Sequence, residues 1–259
     1  MKRAILYLLT ITVAEAIVVV LDPVTGLVAA SIIGIACHIV ILFAVIIDAA
    51  LINSYYNERF VLSLSIIPLI RVISLSLPLA DIPLMWQYPI IYIPLLAAVI
   101  VLANILDLKP GKIGVRFGFI PLQLVVALTG LGFGVVEYLI LRPEPMVTEL
   151  TLQAVWLPAL VLLLATGFVE EFIFRGVLQR TVTEVFGGWG IVYVSYLFAI
   201  LHIGWIQAES QFAVYDVAFV FVVALFFGWV VKKTGSLFGV TLSHGLTNII
   251  LFIVAPFYF

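Results

Sequence analysis

Charge and cysteine are the two things that this 259-residue chain has least of. Charged residues make up only 10% of it, against 65% hydrophobic residues, and the mean hydropathy is +1.32. A typical soluble domain is about one quarter charged, and a water-soluble fold of this size could not bury so much apolar surface. The scarcity of charge therefore excludes a soluble globular protein and indicates a chain whose solvent is lipid.

The single cysteine, Cys37, excludes an intrachain disulfide. Lysine and arginine total 12 and aspartate and glutamate total 14, so the net charge is −2. Such a balance offers no clustered basic patch for the phosphates of a nucleic acid. We therefore expect no nucleic-acid partner, and the first partner that the composition predicts is the lipid bilayer.

Apolar runs long enough to cross a bilayer recur along the whole chain. A spanning helix needs about 20 apolar residues. About nine segments qualify, near residues 4–21, 27–48, 60–79, 89–106, 117–141, 153–180, 190–203, 213–231 and 236–255. Turn-forming residues separate them. The sequence thus predicts an all-α, polytopic transmembrane helix bundle.

The basic residues predict how this bundle lies in the membrane. With the amino terminus in the cytoplasm, the outer loops keep only Arg142. The cytoplasmic loops receive Lys2, Arg3, Arg59, Lys109, Lys112, Arg116, Arg180, Lys232 and Lys233. This asymmetry follows the positive-inside rule. We therefore expect a multi-pass cell-membrane protein with a cytoplasmic amino terminus and an external carboxyl terminus.

The densest polar cluster within a span is Glu170-Glu171-Phe-Ile-Phe-Arg175. On a helix Glu171 and Arg175 are four residues apart, with the glutamate first, which is the favourable order for an ion pair. Glu170 points about 100° away from that pair. It therefore has no cation on its own helix and is a candidate general base. The alternative is that both glutamates belong to an ion network that only holds helices together.

Two further clusters follow on later spans. Phe198-Ala-Ile-Leu-His202 places a histidine one turn after an aromatic residue. Ser243-His244-Gly-Leu-Thr-Asn248 places His244 and Asn248 four apart on one helical face, where their N–H groups could hold an oxyanion. Taken singly, each has a structural interpretation, because membrane helices use interhelical hydrogen bonds routinely. His38 is such a lone histidine, and we assign it no role.

The three clusters read EExxxR, FxxxH and HxxxN, in that order and on separate spans. In this the sequence resembles the type II CAAX prenyl endopeptidase and bacteriocin-processing (CPBP or ABI) family of intramembrane proteases, over roughly residues 115–255. The resemblance implies that Glu170 and His202 activate a water molecule. It also implies that His244 and Asn248 stabilise the oxyanion, while Glu171 and Arg175 support the site.

The resemblance divides the chain into residues 1–114, amino-terminal spans of unknown role, and residues 115–259, a CPBP-type protease core. A count of helical rise places Glu170 and His244 in the cytoplasmic half of the membrane and His202 nearer its middle. We therefore expect a short or tilted seventh span that begins near residues 187–188. We also expect Glu15 and Arg71, two charges at similar depth, to form a buried structural pair.

The predicted function is hydrolysis of a peptide bond in a membrane-associated or lipid-modified peptide or protein, without a cofactor. A first alternative is a metal-dependent membrane protease in which Glu170, His202 and His244 bind zinc. A second is a membrane protein with no enzymatic activity, such as an immunity factor, a scaffold or a transporter, because charges inside a membrane also mark ion pathways.

Overall fold

Helices make up the regular structure of this protein. The computed structural model describes residues 2–77, 82–205 and 213–259, and these ranges contain no β-strand. Lipid offers no hydrogen-bond partners, so a spanning segment must satisfy its backbone groups internally, which a helix does. The predicted all-α fold is confirmed. The predicted end of the third span, residue 79, lies outside the described residues.

The α-helices follow one another with short connections. α7 begins after Thr151, whose hydroxyl accepts a hydrogen bond from the backbone N–H of Ala154 at 3.3 Å. The bounds are α1 Lys2–Thr25, α2 Leu27–Ala50, α3 Tyr55–Ser63, α4 Ile66–Ser76, α5 Leu84–Ile105, α6 Ile120–Leu141, α7 Leu152–Leu162, α8 Gln179–Phe186, α9 Trp189–Ile200, α10 Ala213–Thr234 and α11 Phe238–Ile249. Stretches of π- and 3₁₀-helix join or extend some of them.

In the described ranges, eight helical segments are long and apolar enough to cross a membrane. They are Lys2–Thr25, Leu27–Ala50, Tyr55–Ser76, Leu84–Ile105, Ile120–Leu141, Leu152–Phe186, Val214–Thr234 and Phe238–Phe257. A ninth apolar helical segment, Trp189–Ile203, is shorter. These nine segments match the predicted ones, and the seventh is a short helix, as expected.

The chain forms two compact units by its packing. The first unit consists of Met1–Pro78 and Thr181–Ala224, and the second of Leu79–Arg180 and Leu225–Phe259. Each unit therefore combines two stretches that are distant in sequence. The division at residue 114 that the motifs suggest stays a prediction.

One buried and one partly buried ion pair lie inside the first unit. Arg71 donates from Nε to Oε1 of Glu15 at 2.7 Å, and both side chains are buried, so the predicted pair is present. Arg59 pairs with Glu184 at 3.0 Å in the same unit. A charge in this setting is tolerated only with a close partner. The first pair connects two early spans, and the second connects an early span to a residue after 180.

Close helix packing inside the second unit depends on small residues. A Cβ atom at Gly130 would lie 2.1 Å from the carbonyl oxygen of Ser243, and one at Gly134 would lie 2.5 Å from that of Thr247. No real Cβ atom fits at such distances, so α6 and α11 approach each other through their backbones. Gly132, between them in the sequence, has no such neighbour within 4 Å. The contact fixes α11, which carries the third motif.

Candidate active site

The chain leaves α-helical geometry where the EExxxR motif lies. At Leu163, α7 passes into a π-helical stretch, Leu163–Glu170, and a second one, Phe172–Leu178, follows Glu171. In a π-helix the backbone bonds connect residue i to residue i+5, a rare and widened turn that is frequent at functional sites. The two glutamates therefore stand at the junction of two such stretches.

Glu171 is held from two sides. Nη1 of Arg175 donates to its Oε1 at 2.9 Å, which is the ion pair that the sequence predicts. Nδ1 of His244, on α11, lies 2.9 Å from the same oxygen. Because a carboxylate paired with arginine can only accept, Nδ1 of His244 carries the hydrogen. The remaining ring nitrogen, Nε2, is thereby oriented by Glu171.

Glu170 faces that second nitrogen. Its Oε2 lies 3.6 Å from Nε2 of His244, which is beyond hydrogen-bond length. The hydroxyl of Tyr92, on α5, donates to the other oxygen, Oε1. Oε2 is buried and has no hydrogen-bond partner among the described residues. One oxygen of Glu170 is thus fixed and the other is available for chemistry.

The two glutamates differ in access as well. The side chain of Glu170 is 12% exposed, whereas that of Glu171 is 0% exposed. Phe227 covers the buried side, with its ring centroid 6.1 Å from that of His244 and 5.8 Å from the guanidinium carbon of Arg175. Glu171 is therefore fully enclosed, and Glu170 is the more accessible of the two carboxylates.

Asn248 lies one turn beyond His244 on α11. Its Nδ2 donates to the hydroxyl of Thr166 at 2.8 Å, and that hydroxyl donates to the carbonyl oxygen of Leu162 at 2.6 Å. Thr166 and Glu170 are four residues apart, as are His244 and Asn248. The contacts pair 166 with 248 and 170 with 244, so the two segments run antiparallel with these four side chains on their facing sides.

This close approach depends on two glycines. A Cβ atom at Gly167 would lie 2.7 Å from the carbonyl oxygen of Thr241, and one at Gly245 would lie 3.0 Å from Cα of Leu163. Both glycines lie on the faces where the first π-helical stretch meets α11. They bring Glu170 and His244 within reach of each other.

His202 belongs to the first unit, in a 3₁₀-helical turn, Leu201–Trp205, at the end of α9. Its Nδ1 lies 2.9 Å from the carbonyl oxygen of Phe198, and the two rings pack with centroids 4.7 Å apart. A carbonyl oxygen can only accept, so Nδ1 carries the hydrogen and Nε2 is the accepting nitrogen of the neutral ring. The FxxxH spacing therefore has a structural consequence within the helix, because Phe198 orients the imidazole of His202 through its carbonyl oxygen and its ring.

The structure thus brings together Glu170, Glu171, Arg175 and His244, and it joins Asn248 to them through Thr166. Sequence reasoning missed Tyr92 and Thr166. Thr166 had a signal, because it lies four residues before Glu170 and so shares its side of the helix. Tyr92 lies in an apolar run far from the motifs, and no pattern in the sequence connects it with Glu170.

The zinc hypothesis needs three ligands in one place. In residues 2–77, 82–205 and 213–259, no group of three or more His, Cys, Asp or Glu side chains has an arrangement that could hold a metal ion. Chelation of the purified protein is the experiment that tests metal dependence.

Comparison with known proteins adds one match. Residues 152–250 match the family model of the type II CAAX prenyl endopeptidases described as Rce1-like. The matched segment contains all three motifs and is narrower than the 115–255 range of the resemblance. No curated protein and no solved structure matches the chain. Residues 152–250 of this multi-span helical protein thus carry a match to the Rce1-like CAAX protease family, and this match implies peptidase activity.

Proposed function

We propose that this protein is an intramembrane endopeptidase that uses Glu170 as the general base. The observation that carries the proposal is the asymmetry of the Glu170 carboxylate. Tyr92 holds Oε1, while Oε2 is buried without a hydrogen-bond partner among the described residues and lies 3.6 Å from His244. A carboxylate oriented at one oxygen and unsatisfied at the other is suited to accept a proton from water.

In the proposed reaction Glu170 removes a proton from a water molecule, and the oxygen of that water attacks the carbonyl carbon of the scissile amide. His202 assists in activating the water, a role that rests on the FxxxH motif. The accepting Nε2 that its bond to Phe198 implies supports the role. The proton then passes from Glu170 to the leaving nitrogen as the C–N bond breaks, so the products are a carboxylic acid and an amine.

The tetrahedral oxyanion would be stabilised by N–H groups of His244 and Asn248. His244 already donates from Nδ1 to Glu171, so it can serve the oxyanion only through a hydrogen on Nε2. Asn248 uses its Nδ2 toward Thr166, and an amide nitrogen has two hydrogens, so a second donor is available. Glu171 and Arg175 keep the imidazole in this orientation.

The proposed substrate is a peptide bond in a membrane-associated or lipid-modified peptide or protein. The test is cleavage of a quenched-fluorescent peptide library by the protein purified in nanodiscs. Wild type, Glu170→Gln and Asp216→Asn are compared, each with and without a strong chelator. Asp216 is the matched control, because it is a buried carboxylate with an unpartnered oxygen among the described residues, but it lies in the first unit.

We expect cleavage by wild type and by Asp216→Asn, and none by Glu170→Gln, with or without the chelator. Equal cleavage by Glu170→Gln would refute the general-base assignment. Cleavage that disappears on chelation would favour the metal-dependent alternative. A biological effect that survives Glu170→Gln would favour a non-enzymatic role.

A further inference from the structure

A buried cluster in the first unit lies outside the matched segment and outside all three motifs. Arg71, on α4, donates from Nε and Nη2 to the two carboxylate oxygens of Glu15, on α1, with the Nε bond at 2.7 Å. Arg71 is 6% exposed and Glu15 2%. The fully buried His38, on α2, lies 3.2 Å from Glu15. Its ring nitrogens make no hydrogen bond among the described residues.

Arg71 makes a third contact that an ion pair does not require. Its Nη2 also donates to the carbonyl oxygen of Leu201 at 2.6 Å. Leu201 directly follows Ile200, the last residue of α9, and is the first residue of the 3₁₀-helical turn. The last carbonyl groups of an α-helix have no partner in their own helix and carry partial negative charge. A buried guanidinium at this place therefore caps α9 and fixes the start of the turn.

The next residue after Leu201 is His202. Its imidazole is bonded to Phe198, one turn back on α9, and packs against that ring. The direction of Nε2 therefore depends on where α9 ends and how the turn leaves it. The guanidinium of Arg71, held in place by both oxygens of Glu15, holds the carbonyl group at that point.

We propose that Arg71, oriented by Glu15, is a positioning residue for His202. This inference rests on the proposed function for the role of His202 alone. It assigns a purpose to the amino-terminal spans, because α1 and α4 supply the two side chains that fix the turn. A purely structural pair would contribute to folding and leave the turn unaffected when both charges are removed together.

The test uses the full-length protein and the double variant Glu15→Gln/Arg71→Met. Removing both charges leaves no unpaired buried ion, and such replacements are often neutral for stability. The carbonyl group of Leu201 nevertheless loses its donor. Arg71→Lys is the second variant, since it keeps the positive charge but not the planar fork that reaches Glu15 and Leu201 together.

The matched control is Arg59→Met/Glu184→Gln. It removes a second, partly buried ion pair of the same unit, in which the nitrogen and oxygen are 3.0 Å apart and the Glu184 side chain is 19% exposed. Two readouts are taken for each variant. One is kcat and KM with a peptide that wild type cleaves. The other is the ¹⁵N spectrum of the imidazole rings, which single substitutions can assign because the chain has only 3 histidines.

For the Glu15/Arg71 double variant we expect kcat to fall about 10- to 100-fold with KM changed less than about twofold, because small misplacements of a catalytic group have effects of this size. We expect the His202 ring signals to shift as well. Arg71→Lys should fold like wild type and show a smaller loss of kcat. The Arg59/Glu184 control should change neither readout.

Wild-type kcat together with unshifted His202 signals in the double variant overturns the inference, while the loss of cleavage in Glu170→Gln would still uphold the proposed function. A His202→Ala variant as active as wild type overturns the inference together with the role of His202. Should no peptide be cleaved, the ring signals decide, and unshifted His202 signals refute the positioning role.

Discussion

The hydroxyl group of Tyr92 donates a hydrogen bond to Oε1 of Glu170. It connects α5, a helix outside the matched segment, with the first residue of the EExxxR motif. Residues 93–102, which follow Tyr92 along α5, are all apolar, and the contact gives this helix a polar link to the motif. It fixes the plane of the carboxylate on which the proposed chemistry depends.

Replacing Tyr92 by phenylalanine is expected to lower kcat by roughly 10- to 150-fold, because a hydrogen bond to a charged group contributes roughly 1.5–3 kcal/mol. The measurement is peptide cleavage under saturating substrate. Tyr7→Phe is the matched control, since Tyr7 also donates to a carboxylate, Asp48, at 2.9 Å, but in the first unit. A Tyr92→Phe variant as active as Tyr7→Phe would show that Glu170 does not need this donor.

Glu170→Gln is expected to fold at least as stably as wild type while losing activity. The substitution replaces a largely buried carboxylate by a neutral amide, which costs less to bury, and it keeps an acceptor for Tyr92. Thermal unfolding in detergent measures the effect, and the expected midpoint is equal to or above that of wild type. A clearly lower midpoint would contradict the account of Glu170 as an unsatisfied group.

Single and double substitutions of the Glu171–Arg175 pair should separate stability from activity. Arg175→Met leaves Glu171 buried without its cation, and breaking a buried ion pair from one side destabilises by roughly 3–5 kcal/mol. The double variant Glu171→Gln/Arg175→Met should recover most of that loss in denaturant unfolding. It should nevertheless stay inactive, because the carboxylate that orients His244 is gone. Recovery of activity in the double variant would exclude an orienting role for Glu171.

Gly167→Ala should damage both folding and catalysis. The added Cβ would lie 2.7 Å from the carbonyl oxygen of Thr241 and push the π-helical stretch away from α11. Gly132→Ala is the control, as its Cβ meets nothing within 4 Å. In a helix that change should be neutral or stabilising by about 0.5–1 kcal/mol. Peptide cleavage and thermal unfolding of both variants, side by side, check the expectation.

The orientation in the membrane is open to a direct experiment. The distribution of lysine and arginine predicts a cytoplasmic amino terminus and an external carboxyl terminus. A reporter that is active only outside the cytoplasm, fused after Phe259, should therefore be active, and the same reporter before Met1 should be silent. The reverse pattern would show that the basic residues do not set the topology of this chain.

Hydropathy was sufficient to predict the helical bundle, because a lipid solvent leaves a chain few other solutions. The Glu15–Arg71 pair was also predictable, since two buried charges of opposite sign at similar depth must find each other. The ion pair of Glu171 and Arg175 followed from their spacing, even though the turn there is π-helical.

The hydrophobic periodicity of the sequence could not predict the contacts of Glu170 with Tyr92 and of Asn248 with Thr166. These contacts depend on how segments that are distant in the sequence pack against each other. The packing in turn depends on local shape, such as the close backbone approach that Gly167 permits. The same holds for the π-helical stretches, which no residue in Leu163–Glu170 signals by its type alone. Motif and spacing therefore predict which side chains form the site, while packing determines what each one contacts.

The Glu15–Arg71 pair also bears on how the protein is made. Both residues lie in the first three spans, Lys2–Thr25, Leu27–Ala50 and Tyr55–Ser76. Each charge alone would raise the free energy of insertion by roughly 2.5–3.5 kcal/mol. Because both members of the pair lie in these spans, the three helices can leave the insertion machinery with the two buried charges already paired, before Leu201 is synthesised. The guanidinium of Arg71 would then already be oriented in the bilayer before the carbonyl group of Leu201, 130 residues further along the chain, is synthesised.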